Sequence, residues 1–118
     1  MNILFVGAGK RVTMASLFKA RGYNIYSYET SYKLPVANQA EIILGKRWKD
    51  PDIISHINQT CLDHSIEMVI PFQDEAIEIC SNVTSAVTLC KNSMAARVCY
   101  DKKLFESFML HTLPELYP

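Results

Sequence analysis

The first eleven residues, Met1-Asn-Ile-Leu-Phe-Val-Gly-Ala-Gly-Lys-Arg11, constrain the fold more than any other stretch of the chain. Ile3 to Val6 is a short apolar run that favours extended backbone, and Gly7 and Gly9 stop it. A helical pattern then starts at Val12. An apolar strand, a glycine turn and a helix are the opening of a βαβ unit. Such a unit presents the N–H groups of a helix start to an anion.

The rest of the chain repeats this alternation. Periodicity predicts a first helix from Val12 to Arg21, with Met14, Leu17 and Phe18 as its apolar stripe and Gly22 as a left-handed C-cap. Asn24 to Tyr28 reads as a second strand ending at Glu29-Thr30. The segment Ser31 to Asn38 contains Pro35 and is too short for a crossover helix, which leaves one turn or an irregular link. Ala40 to Leu44 reads as a third strand, punctuated by Gly45. Asp50-Pro51-Asp52 starts a second helix, with Asp50 at the N-cap and Pro51 at the first helical position. Its buried stripe is Ile53, Ile54, Ile57 and Cys61. Glu67 to Phe72 reads as strand four, with Pro71 at its end because a central strand cannot spare that N–H. Asp74 caps a helix from Glu75 to Ser81, and Ala86 to Cys90 reads as strand five. Ser93 to Val98 reads as a short helix. Asp101 caps a last one carrying Leu104, Phe105, Phe108 and Met109, which Leu113-Pro114 ends.

Strands alternating with helices predict an α/β fold: an open three-layer αβα sandwich around a mainly parallel five-stranded sheet, in the order 3-2-1-4-5. At 118 residues the chain is one domain. Its 12 basic and 12 acidic side chains cancel, so no global field draws it to nucleic acid or to a membrane. The composition, 49% hydrophobic, suits a packed core, while no apolar run approaches the ~20 residues of a membrane span. A signal-peptide layout is missing from the amino terminus, so a cytoplasmic location is expected. Cys61, Cys80, Cys90 and Cys99 show no paired spacing and read as reduced core thiols. Cys61 and His64 are spaced i, i+3, but no second pair completes a metal site, and none is expected.

Ligands of such sheets bind outside the carboxyl ends of the strands, near the point where strand order reverses. Five segments fall on that edge: Gly7–Arg11, Glu29–Tyr32, Gly45–Lys49, Gln73–Glu75 and Lys91–Ser93. A plain solvated rim is the bland alternative. Lys10 and Arg11 argue for more, because cations at a helix start oppose its dipole unless something negative shares the place. A salt bridge to Glu29 or Asp74 would also explain them. The candidate substrate- or anion-binding residues are therefore Gly7, Gly9, Lys10, Arg11, Glu29, Asp74 and Glu75. Catalytic constellations are not visible. Trp48 reads as a packed loop anchor, and Asp101-Lys102 as an N-cap followed by a solvated lysine.

Gly7-Ala-Gly9 with Glu29 after strand two resembles the dinucleotide fingerprint, although Val12 stands where its third glycine would be. A second resemblance covers the whole chain and rests on four pieces in order. They are Ile3-Leu-Phe-Val-Gly-Ala-Gly-Lys-Arg11, Asp50-Pro51-Asp52, Ile70-Pro-Phe-Gln-Asp-Glu75, and Tyr100-Asp-Lys102 with Leu113-Pro114. Together they resemble the pre-ATP-grasp, Rossmann-like domain that precedes the catalytic core of ATP-grasp ligases, in particular carbamoyl-phosphate-synthase large-subunit-like proteins. His111 stands near where that family's last junction has glycine.

The resemblance implies a ligase that uses ATP and Mg²⁺ to activate a carboxylate as an acylphosphate for attack by an amine. It implies that residues 1–112 form the pre-ATP-grasp domain and that 113–118 begin the junction to the ATP-grasp core. The nucleotide- and metal-binding residues of that family lie beyond this junction. The chain then looks like an excised amino-terminal domain, inactive alone, forming one wall of the active-site cleft. Its implied partners are the ATP-grasp core and a small carboxylate or amine substrate, with a homodimer left open. The competing readings are an NAD-type Rossmann module of an oxidoreductase or regulatory protein, and a domain that only packs against a partner.

Overall fold

The computed structural model describes residues 1–88 and 101–112, apart from the side chains of Phe105, Phe108, Met109 and Thr112. Strands β1 (Asn2–Val6), β2 (Asn24–Glu29), β3 (Glu41–Leu44), β4 (Met68–Pro71) and β5 (Val87–Thr88) form one sheet in the order 3-2-1-4-5. Every neighbouring pair is parallel. The fold expected from the alternation is the fold observed. The 3-10 turn Pro35–Asn38 is the short link between β2 and β3. Of the remaining expectations, the helix over Ser93 to Val98, the second half of strand five and the Leu113-Pro114 junction lie outside the described residues.

Chain direction dictates which face each helix covers. Parallel crossovers are right-handed, and the chain steps one way from β1 to β3 and back the other way to β4 and β5. Helix α1 (Val12–Ala20) therefore covers one face, while α2 (Ile53–Asp63) and α3 (Asp74–Cys80) cover the other. Alternate residues of the central strand feed the two cores. Leu4 and Val6 join Tyr28, Ile53, Ile57, Cys61, Val69, Ala76 and Cys80. Ile3 and Phe5 join Ala8, Ala15, Ile25 and Val36. The Phe5 ring meets Phe18 edge-on at 5.6 Å and Phe72 at 4.6 Å.

Three local expectations need correction. Met14 and Leu17 are exposed, at 41% and 58%, and α1 instead buries Ala15, with Phe18 beside it. Phe18 stays on the core side as expected, and the small Ala15 takes the buried position there in place of Met14. Helix α2 starts at Ile53 and not at Pro51, because the Asp50 carboxylate accepts the Asp52 N–H at 2.8 Å and closes a turn ahead of it. Helix α3 begins at Asp74, so that residue is its first turn and not its cap; Gln73 occupies the cap position. Other local readings hold. Gly22 adopts φ 90° beyond α1, and Pro71 ends β4. Asp101 Oδ1 accepts the N–H groups of Lys103 and Leu104 ahead of the last helix, α4 (Lys102–Thr112). Among the described residues no helix is long and apolar enough to cross a membrane.

Cys61 and Cys80 are free and buried in the same core. Burial pushes the Cys61 thiol up to about 11; burial, and then the neighbouring Cys61, push Cys80 up to about 12. A thiol whose ionisation is raised by folding stabilises the fold below its ordinary value of 9.0. That contribution is lost as pH climbs toward the folded value. Stability should thus decline through alkaline pH, and less steeply in Cys80→Ala, measured by urea midpoints against pH. Titration of the denatured, unreduced protein should find all four thiols, whereas a disulfide mass deficit would contradict the reduced-core reading.

Gly45 is the tightest glycine in the sheet edge. A Cβ there would lie 2.3 Å from the Tyr28 ring, a distance no side chain tolerates. Gly45→Ala should cost about 1–3 kcal/mol by overpacking, read from a lower denaturation midpoint. An unchanged midpoint would mean that the Tyr28–Gly45 approach is not as close as described.

Candidate functional site

The carboxyl ends of β1 to β4 converge on one edge. From β1 the chain enters the Gly7–Arg11 turn, where Gly7 and Gly9 take positive φ values of 74° and 51° that only glycine adopts without strain. Gly7 is constrained twice over. A Cβ on it would stand 3.1 Å from the Trp48 ring and 3.2 Å from the Gln73 amide nitrogen. That same amide donates to the Gly7 carbonyl at 3.0 Å. The turn is closed by Arg11 N–H to the Ala8 carbonyl at 2.9 Å. Among the described residues the N–H groups of Ala8 and Lys10 have no acceptor.

Glu29 lies at the end of β2 and is only 8% exposed. Its Oε1 accepts the Gly9 N–H at 2.8 Å and the Ser27 hydroxyl at 3.0 Å. A buried carboxylate is tolerable only when hydrogen-bonded, and these two donors meet that need at one oxygen. Oε2 has no protein donor among the described residues, yet it is not sealed from solvent. The acid expected to face a ligand therefore also pins the glycine turn.

The other predicted residues are not all brought together. Lys10 and Arg11 are exposed on the rim, and among the described residues neither forms an ion pair, so the proposed bridges to Glu29 or Asp74 do not form. Asp74 and Glu75 occupy the first turn of α3, where a negative charge complements the helix dipole. Asp74 is exposed and Glu75 half-buried.

Beside the glycine turn is a cleft of about 610 Å³, lined by Tyr28, Glu29, Thr30, Leu44 to Trp48, and Gln73. Of the predicted residues only Glu29 lines it; Gly7 lies beneath its Trp48 and Gln73 walls. Sequence reasoning located the segment Gly45–Lys49 on this edge but chose none of it. The available signal was a glycine followed by two cations and an aromatic directly after a strand. Trp48 is partly buried against the core, as a loop anchor should be, and it walls the cleft as well. The Lys46 ammonium is 3.9 Å from Asp50 Oδ2, a surface pair of modest worth.

Tyr28 was missed altogether because it reads as one more alternating strand residue. Its ring is buried, and its hydroxyl oxygen accepts the Lys46 N–H at 2.9 Å and pairs with His56 Nδ1 at 2.7 Å. Burial raises the phenol above its ordinary 10.0, so the hydroxyl keeps its proton.

Chemically the cleft offers cations from Lys46 and Arg47, the Thr30 hydroxyl, the Gln73 amide, the Glu29 acceptor and an aromatic wall. This is equipment for binding. Among the described residues no three His, Cys, Asp or Glu side chains converge as a metal site needs. A second cavity of about 480 Å³ sits at the amino-terminal edge, between Lys19, Asn24 and Glu41. Parallel sheets do not place their ligands there.

Comparison with known proteins bears on the same fold. The sequence has no significant match among curated proteins. Glycinamide-RNase-transformylase T from Mycobacterium tuberculosis superposes with a TM-score of 0.76 at 9% identity, covering 97% of this chain and 36% of that one. UDP-glucose 4-epimerase from Thermotoga maritima, solved with UDP-glucose, gives 0.50 at 15% identity, covering 85% and 35%. At such identities these likenesses establish the fold, and the chain spans only about a third of the length of either protein. Matched over residues 3–101 by the family model described as the PylC-like N-terminal domain, the chain belongs to that family, the pre-ATP-grasp domain of ATP-grasp ligases.

Proposed function

We propose that this domain forms the substrate-side wall of the active-site cleft in an ATP-dependent ligase that joins a carboxylate to an amine, of the carbamoyl-phosphate-synthase-like kind, and that it is not catalytic alone. The observation that carries the reading is the carboxyl-edge cleft, where two cations and an open carboxylate oxygen meet in a chain of this family. Lys46 and Arg47, with Lys10 and Arg11 at the rim, would hold an anionic group of the substrate. The bare Glu29 Oε2 would accept from a substrate N–H or O–H.

ATP, held with Mg²⁺ mainly by residues outside this chain, would supply the phosphoryl group that activates the carboxylate. Among the described residues no cluster of His, Cys, Asp or Glu is placed to hold a metal. An NAD-type module is less well supported. Val12 replaces the third glycine of that fingerprint, and one Glu29 oxygen is already engaged by Gly9.

Two measurements test the proposal. Inorganic phosphate titrated against the amide NMR spectrum should shift residues 7–12 and 46–48 first, with an affinity of about millimolar. Lys46→Ala with Arg47→Ala should weaken that binding at least several-fold. Shifts centred on Lys19, Asn24 and Glu41 would instead move the site to the other edge. Separately, incubation with Mg²⁺-ATP and candidate amino acids should release no phosphate above a heat-killed control. Turnover by this chain would contradict the assignment of a non-catalytic wall.

A further inference from the structure

We propose that Tyr28 and His56 are positioning residues for this cleft: their hydroxyl–imidazole pair holds the Lys46–Arg47 loop at the angle from which its cations meet an anion. The inference rests on the anion-binding reading of the cleft and names what orients it. Neither residue needs to touch the ligand through its titrating atoms.

Three contacts converge on Tyr28. The Gly45 backbone lies against its ring so closely that a Cβ would overlap it. The Gly45 N–H is itself tied to the Glu29 carbonyl at 2.7 Å. One residue further on, the Lys46 N–H donates to the Tyr28 hydroxyl oxygen at 2.9 Å. The loop that carries both cations is thus fastened to β2 at its first two residues. On the far side of the hydroxyl, His56 Nδ1 lies 2.7 Å away, and the two rings pack with centroids 5.5 Å apart.

Counting protons assigns the donors. A neutral tyrosine has one O–H. Its oxygen accepts from Lys46, and its hydrogen finds an acceptor in His56 Nδ1 when that is the unprotonated ring nitrogen, the arrangement we assign. In that state all three groups are satisfied. A proton added to the imidazole turns Nδ1 into a donor. The Tyr28 oxygen then faces two donors, and its own hydrogen loses its acceptor.

Among the described residues, the charged and titratable groups with contacts to this junction are these. The Asp50 carboxylate acts on the Tyr28 phenol and pairs with the Lys46 ammonium. Asp52 offers His56 only its carbonyl, which accepts the His56 amide at 2.9 Å, and the Thr60 hydroxyl donates to the His56 carbonyl at 2.9 Å. Protonation of His56 should therefore loosen the Lys46 end of the loop and leave the glycine turn in place.

The test follows the Lys46 and Arg47 amides by NMR without ligand as pH falls from about 8 to about 5.5, with the His56 ring signals followed alongside. In the native chain both should shift in step with the His56 ring. In Tyr28→Phe the pH response should vanish. His56→Gln, which keeps an acceptor that does not titrate, should hold the loop at both ends of the range, and His64→Gln should change nothing. Sulfate, which keeps its charge over this range, is the probe for the cations. Its affinity should drop about three- to tenfold on acidification and in Tyr28→Phe, and should stay high at low pH in His56→Gln. Lys46 and Arg47 amides that ignore both pH and Tyr28→Phe would overturn the inference, as would an acid loss of affinity that persists in His56→Gln. If the amides respond as described but sulfate shifts no cleft residue, the loop-holding role stands and the anion reading of the cleft falls.

Discussion

Two consecutive residues at the end of β2 hold the carboxyl edge of the sheet together. Side chains alternate across a strand, so Tyr28 and Glu29 point to opposite faces of the sheet. Glu29 shares its face with Ser27 and reaches the Gly9 N–H, which fixes the turn after β1. Tyr28 points into the core beneath α2 and reaches the Lys46 N–H, which fixes the loop after β3. Because β2 lies between β1 and β3, one dipeptide can fasten the loops of both neighbours. Without these bonds the glycine turn would keep the Arg11–Ala8 and Gly7–Tyr28 backbone bonds, the Val36 N–H on Gly9 and the Gln73 amide on Gly7, and the cation loop would keep the Gly45–Glu29 and Asp50–Arg47 backbone bonds.

The topology explains why this dipeptide stands at the site. Reversal of the chain between β3 and β4 leaves β1 at the sheet centre, flanked by β2 and β4. Its glycine turn is therefore reached from both sides: by Glu29 from β2 and by the Gln73 side chain from the start of α3. Trp48 closes over Gly7 from the β3 loop, and the missing Gly7 side chain is what leaves room for it. The cleft is the space that remains between these pieces.

Much of this was legible from local chemistry. The apolar run that Gly7 stops, the left-handed Gly22, the end position of Pro71 and the Asp101 cap all depend on residues close in sequence. The sheet order follows from alternation and crossover handedness. The α1 stripe was misread because apolarity alone marks Met14 and Leu17, while packing distance favours the smaller Ala15. The rule of carboxyl ends pointed to the edge that holds this cleft and to Glu29, which lines it. It could not choose among the polar residues of that edge, and it gave Lys10 and Arg11 more weight than Lys46 and Arg47, which line the cleft. The Tyr28 contacts span 18 and 28 residues and carry no local signature. A buried tyrosine in an apolar strand looks like any other core residue until its partners are known.

The most direct test of this account is the exchange rate of the Gly9 amide in Glu29→Gln compared with the native chain. A neutral amide oxygen is a weaker acceptor than a carboxylate, so exchange at Gly9 should accelerate, by about tenfold on the scale of one charge-assisted hydrogen bond. The amides of β1 and that of Lys46, held by other partners, should keep their native rates. A Gly9 amide equally protected in the variant would contradict the account, because the glycine turn would then be held by something other than the end of β2.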